Sequence, residues 1–332
     1  MIEEVLLKPM DVVRARALKW LGKTARPFII DRELRVAAAG SLVIVAALLG
    51  ALVLPLWMLA LGPLIWGIPH ILSDVRYLVV RPGHHKRWPL VLAVGAPLAV
   101  AALGGGVVAG LCAAMGVFLV ARCSAGRRAA GLVGIGALMA GALWAGSVSE
   151  IIFAHAHNFI AVALWWAWRP RQGRWHWWPL GLFVVGSVLL ALGVLDPFIG
   201  VQLQRDWGFG WMDGRYFATL LAPGSDAQWG LRLVLLFAFA QAVHYGIWLR
   251  MMPDEDRPQR TPRSFLATWK ALEADFGRWP LRATVLGCAA LAAWAAFDLA
   301  GARLGYLRMA NFHGHLELAA GALIFAEGRL RS

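Results

Sequence analysis

Long apolar runs alternate with short charged segments along the whole chain, and most of the runs exceed what a soluble helix needs. A helix requires ~20 apolar residues to cross ~30 Å of hydrocarbon. Between charge clusters the chain offers ten such runs, at 36–54, 56–80, 89–104, 107–121, 129–147, 149–168, 178–194, 229–250, 280–300 and 306–328. Only Gly104, Gly105 and Gly106 separate the third from the fourth, the minimum for a turn. Two stretches are amphipathic instead. Residues 3–23 set Val5, Leu6, Val13, Leu18 and Leu21 among Lys8, Arg14, Arg16 and Lys19. Residues 264–278 set Leu266, Trp269, Leu272 and Phe276 at helical spacing. Both suit helices lying in the headgroup plane, or solvated helices packed on the inner surface.

The pattern predicts an all-α, polytopic integral membrane protein of about ten transmembrane helices. Its parts are an amphipathic N-terminal segment at 1–35, a single transmembrane domain at 36–328 and a short inner tail at 329–332. Within the domain, 195–228 forms a long outer loop and 251–279 an inner interfacial segment. The loop carries Asp196, Asp206, Trp207, Phe209, Trp211, Asp213, Tyr216 and Phe217, and loops of this length are often lids or covers.

Composition sharpens this. Of 332 residues, 60% are apolar and 15% charged, with a mean hydropathy of +0.62. Soluble domains carry about 45–50% apolar and about 25% charged residues. Disorder, a collagen-like repeat and a disulfide scaffold are excluded. Cys112, Cys123 and Cys288 form neither an even set nor a CxxC pair. The first 35 residues lack the apolar core of a signal peptide. The net charge of +13 would suggest nucleic acid in a soluble protein. Here Arg205, Arg215, Arg232, Arg303 and Arg308 are the outer exceptions, and the other 27 of 32 basic residues fall at one side once the N-terminus is placed inside. That asymmetry predicts both termini in the cytoplasm and location in the inner membrane, with lipid headgroups rather than nucleic acid as the basic residues' partner.

Ionisable residues inside spans are costly and seldom accidental. They concentrate on four runs: His70, Asp74 and Tyr77 on the second; Glu150, His155, His157 and Asn158 on the sixth; Gln241, His244 and Tyr245 on the eighth; Asn311, His313, His315 and Glu317 on the tenth. His70 and Asp74 share a face at i,i+4, as do His313 and Glu317. The i,i+2 pairs His155/His157 and His313/His315 point apart, so one of each should face a shared centre, and His157 and His313 have the better polar company. Counted from the span edges, His155, His157, His313, His315 and Glu317 lie roughly 9–17 Å deep and His70 and His244 roughly 21–23 Å. One metal with a polar cavity, a two-metal site and two separate sites all fit those depths.

Neutral imidazole with carboxylate and open positions is the ligand set of non-haem iron oxygenases. His70, His155, His157, His244, His313 and His315 are the candidate ligands of one or two iron ions. Asp74, Glu317 and Tyr245 are candidate ligands or proton-handling groups, and Glu150, Asn158, Gln241 and Asn311 would orient them. A lipid-buried site of this kind would take a hydrophobic small molecule entering between helices, with an electron donor as a further partner. Two alternatives use the same residues. A haem could be held by His155 or His157 opposite His313 or His315, for electron transfer to a quinone. An Asp/Glu/His relay could drive proton-coupled transport, although no internal repeat is visible. His84, His85 and His176 fall in basic loops and are expected to be solvated, Asp254, Glu255 and Asp256 to form a loop face, and Arg76 to snorkel.

The run GIPHILSD at 67–74 resembles the GxPHGxxD motif in an early helix of the Brp/Blh family, the bacteriorhodopsin-related membrane β-carotene dioxygenases. The resemblance implies a polytopic fold in which membrane histidines hold iron and a carotenoid is cleaved to retinal, with His70 a ligand and Asp74 its neighbour. FAQAVHYGIW at 239–248, with His244, is similar to a later histidine-bearing helix of that family. Ile71 stands where the family has glycine, and Trp248 where that later helix has a second histidine.

Overall fold

The computed structural model describes residues 2–171, 173–199 and 212–328, and among them the fold is all helix with no strand. In chain order the helices are α1 (Ile2–Leu21), α2 (Arg26–Ile30), α3 (Arg32–Val53), α4 (Pro55–Asp74), α5 (Trp88–Val100), α6 (Gly106–Val120), α7 (Ala125–Ala145), α8 (Val148–Ala167) and α9 (Trp177–Ala191). They continue with α10 (Asp196–Ile199), α11 (Gly214–Leu221), α12 (Ala227–Gly246), α13 (Met252–Glu255), α14 (Phe265–Phe276), α15 (Arg278–Phe297), α16 (Leu299–Ala310) and α17 (Phe312–Glu327). Helix starts follow local chemistry. The side chains of Asp31, Ser124, Asp226 and Ser264 each accept a backbone N–H of the first turn that follows.

Among the described residues, seven helical runs are long and apolar enough to cross a membrane, against the ten expected. The difference lies in the breaks. Trp88–Val120 is apolar throughout but folds back at Gly104 and Gly106, whose φ angles of 102° and 60° favour glycine, so α5 and α6 pack as a hairpin. Helix α9 is short, and the expected tenth run is divided at Asn311 into α16 and α17. The run also begins earlier than expected, at Leu299 rather than 306.

Helix α17 is central, packed by α4, α5, α6, α7 and α8, and α12 packs on α3, α4, α8, α9 and α11. Helices α7 and α15 are peripheral and expose apolar faces, with Trp144 92% and Phe297 93% exposed. A helix apolar all round yet unburied in its own protein is matched to lipid. The amphipathic helices α1 and α14 pack against each other, and Asp11 accepts the Phe265 and Leu266 amides at 2.7 and 3.1 Å.

The basic end of the bundle corrects several expectations. His176 is fully buried, with Nδ1 2.7 Å from Glu33 and Nε2 3.5 Å from Glu255. Glu255 also pairs with Arg169 and Arg171. Asp254 pairs with Arg35 at 3.0 Å, Arg250 at 2.6 Å and Arg257. Asp256 pairs with Arg81 at 2.9 Å. The 254–256 run is therefore a buried hub rather than a loop face, because arginines from four separate segments converge on it. His84 is buried too, and only His85 of the three loop histidines is exposed. Arg76 is buried against Asp275 at 2.7 Å and does not snorkel. Around this hub Arg169, hydrogen-bonded to Glu33 and Glu255, is held in its charged form more firmly than a free guanidinium, although burial opposes it. Of the long outer loop, Asp206, Trp207, Phe209 and Trp211 lie outside the described residues, as does the 329–332 tail.

Candidate metal centre

Four imidazoles from four helices meet in the middle of the bundle. His70 of α4 has its ring centroid 4.8 Å from that of His313 of α17 and 5.4 Å from that of His244 of α12. His157 of α8 lies 5.3 Å from His244 and 5.4 Å from His313. His244 and His313 are 5.7 Å apart. His70, Asp74, His244 and His313 each offer a ligand atom within 4.8 Å of all the others. Depth explains the convergence. With the last span beginning at Leu299, His313 sits roughly 21 Å along it at 1.5 Å per residue, level with His70 in α4. Gly314 brings α17 against α8, since a Cβ there would lie 3.2 Å from the His157 side chain.

Two imidazoles have their tautomer set by backbone. His70 Nδ1 lies 3.2 Å from the Trp66 carbonyl oxygen and His313 Nδ1 2.5 Å from that of Ala310. Each N–H donated there leaves Nε2 with a lone pair for a ligand. Glu317 is fully buried. It accepts a hydrogen bond from Trp248 Nε1 at 2.7 Å, and its Oε1 is 3.2 Å from His244 Nε2. Asp74 is also fully buried, and among the described residues both its oxygens lack a hydrogen-bond partner, as do His70 Nε2 and Glu317 Oε2. Buried polar atoms of this kind cost several kcal/mol in an apolar medium, on the order of 2–7 kcal/mol each. A mixed imidazole and carboxylate donor set suits a first-row divalent ion, so these residues fit a metal.

The backbone is irregular beside the cluster. A π-helical turn, Val75–Val80, follows Asp74, and another, Ile247–Met251, follows α12. Ser73 Oγ donates to the Trp248 carbonyl at 2.6 Å and joins the two helices there. Such turns concentrate at functional sites because they re-aim side chains.

The remaining candidates are placed less centrally. His155 points away, its Nε2 2.9 Å from the Leu221 carbonyl and its ring against Phe237. His315 stacks on Phe153 with centroids 4.3 Å apart and abuts Gly110. This is the i,i+2 divergence at work. Glu150, expected to orient ligands, is exposed, lines the cavity that the histidines border and accepts the Val107 amide at 2.8 Å at the start of α6. Asn311 Nδ2 donates to the Ala101 carbonyl at 3.2 Å and Asn158 Nδ2 to that of Ala154 at 3.2 Å. Tyr245 lies against His70 with centroids 4.7 Å apart. His157, His244 and His313 border a cavity of about 320 Å³, which Asn158, Gln241, Tyr245, Arg303 and Tyr306 also line. Sequence reasoning missed Trp248, Arg303 and Tyr306. In the sequence the first stands only as the residue in place of the later family helix's second histidine, the second as an outer arginine, and no spacing marks the third. No family model, no curated protein and no solved structure matches the chain.

Proposed function

We propose that the chain is an integral membrane oxidoreductase of the inner membrane, with its basic end in the cytoplasm, that holds non-haem iron and acts with O₂ on a lipophilic substrate. The observation that carries this reading is the ligand group of His70, Asp74, His244 and His313, all within 4.8 Å of one another, with His157 and Glu317 at its edge. Iron there would supply an O₂-activating centre. The chain's own residues set its surroundings. Trp66 and Ala310 carbonyls fix the ring orientations, Trp248 aims Glu317, and the adjoining cavity admits an apolar molecule beside the histidines. The resemblance of GIPHILSD to the carotenoid-cleaving family supports the same assignment for His70 and Asp74.

The haem alternative is less well supported. An axial pair must stand on opposite faces of a macrocycle, and rings 4.8–5.7 Å apart suit a single ion better. Metal analysis and an optical spectrum of the detergent-purified protein test the reading. Stoichiometric iron without a Soret band is expected, with iron lost in His70→Ala and His313→Ala while helicity and the elution volume persist. A Soret band, or iron retained in both variants, would overturn it.

A further inference from the structure

The cavity beside the histidines contains a guanidinium that the metal reading does not use. Arg303 of α16 is 3% exposed and lines that cavity. Its Nε donates to the Leu59 carbonyl at 2.8 Å, and its guanidinium carbon sits 5.0 Å from the Phe217 ring centroid. Its side chain also hydrogen-bonds with Tyr216, but among the described residues Nη1 is buried with no hydrogen-bond partner and no ion pair joins the guanidinium to a carboxylate. Arginine keeps its charge in proteins. A buried, uncompensated cation is strongly destabilising unless something anionic meets it. Leu59 and His70 lie on the same helix, eleven residues apart, so the guanidinium stands roughly 16 Å from the histidine level at 1.5 Å per residue. The cavity is lined by Leu307, Tyr245 and Tyr306 and also carries the polar side chains of Glu150, Asn158, Gln241 and Asn311. At about 320 Å³ the cavity is at the small end of the ~300–1,000 Å³ range for ligand pockets, room for one chain rather than a bulky polycycle.

We propose that Arg303 binds the anionic oxygen-acid headgroup of a single-chain amphiphile, a long-chain carboxylate or an alkyl or isoprenyl phosphate, whose chain then runs toward the histidines. This rests on the cavity being the substrate site of the proposed oxidoreductase, and it narrows the substrate from lipophilic to amphiphilic. The headgroup acts as an anchor and the distance to the histidines as a ruler, so the position presented to the metal lies along the chain and not at the acid. Arg303 is thus a positioning residue.

The test is binding of radiolabelled hexadecanoate to the full chain in phosphatidylcholine nanodiscs, with hexadecyl phosphate and hexadecanol as competitors. A charge-assisted hydrogen bond is worth about tenfold or more in affinity. Hexadecanoate or hexadecyl phosphate, whichever matches the natural source, is expected to bind at least tenfold more tightly than hexadecanol. Arg303→Gln should erase that preference and Arg303→Lys should keep part of it. Hexadecanol binding as well as both acids, or Arg303→Gln leaving the preference intact, would overturn the proposal. The acid-to-alcohol comparison on the unmodified protein decides the matter even if the variant does not fold. Iron content of the same samples separates the two readings. Acid preference without iron sinks the metal centre alone, and iron without acid preference sinks the headgroup site alone.

Discussion

Trp248→Phe is the most informative single change near the cluster. Trp248 is fully buried, and its Nε1 is 2.7 Å from Glu317 Oε1, an oxygen that also lies 3.2 Å from His244 Nε2. Phenylalanine keeps most of the ring and the backbone bond from Ser73, and deletes the donor. A hydrogen bond to a charged group is worth about 1.5–3 kcal/mol. If that bond holds Glu317 in position for the metal, its loss appears in metal affinity, at about tenfold per 1.4 kcal/mol. Partners that orient metal ligands lose 10–100-fold in affinity, and the two routes agree on roughly that range. The assay is iron competition against a chelator of known affinity, with thermal unfolding of metal-free protein alongside. The expected result is a 10–100-fold weaker site with a smaller loss in the metal-free melting temperature. Unchanged metal affinity together with a lowered metal-free melting temperature would refute the reasoning, because Trp248 would then serve only packing.

Three further outcomes follow from local geometry. Gly67→Ala should destabilise the protein by about 1–3 kcal/mol in a denaturation series, because a Cβ there would sit 2.3 Å from Tyr306 Cζ in a packed interface. Glu255→Gln leaves Arg171 without its carboxylate and removes one of the two that Arg169 and His176 each share with Glu33, and should cost about 3–5 kcal/mol, whereas Glu273→Gln, which loses only a 3.7 Å contact with a largely exposed Arg278, should be nearly neutral in the same melt. Hydrogen bonds from Arg232 hold Asp196 below the usual carboxylate range. Its contribution to stability is therefore present at neutral pH and disappears as pH falls through that lowered value, and Asp196→Asn should flatten this acidic limb of a melting-temperature profile.

The all-helical, membrane-crossing character was legible because lipid imposes a crude rule, length and apolarity, that composition alone can reveal. The choice between His155 and His157, and between His313 and His315, was legible because helical spacing forbids both members of a pair from facing one centre. Depth was not. A boundary at 306 leaves out Leu299 and the Asn311 break, so depth alone leaves one shared site and two separate ones equally open. Glu150 lines the cavity of the histidines and also accepts the Val107 amide, and sequence cannot tell which amide a carboxylate near a helix end will find. The basic-end hub was invisible for a different reason. Arg35, Arg81, Arg169 and Arg171 are distant in sequence from the acids they meet, and a solvated loop is the default reading of any charged segment. Arg303 was lost the same way, counted for its side of the membrane rather than for its burial.

The charge balance of the cluster narrows what it can hold. Asp74 and Glu317 are both fully removed from solvent, and among the described residues neither pairs with a lysine or arginine. Two ionised carboxylates in a low-dielectric interior repel one another and forfeit hydration, each at several kcal/mol or more by rough reckoning. Protonating them would remove that cost, but Asp74 has no acceptor in reach of either oxygen, so a neutral carboxyl there would still bury an unsatisfied hydroxyl. A divalent cation among neutral imidazoles cancels both charges and uses the orphaned oxygens as ligands, leaving a neutral complex, the form least penalised inside lipid. A trivalent ion would leave one positive charge in excess. The ligand set is therefore matched to a divalent ion, which on the proposed iron reading is the ferrous state at rest, and redox-silent divalent ions of the same charge, zinc above all, should compete for it more effectively than any trivalent one.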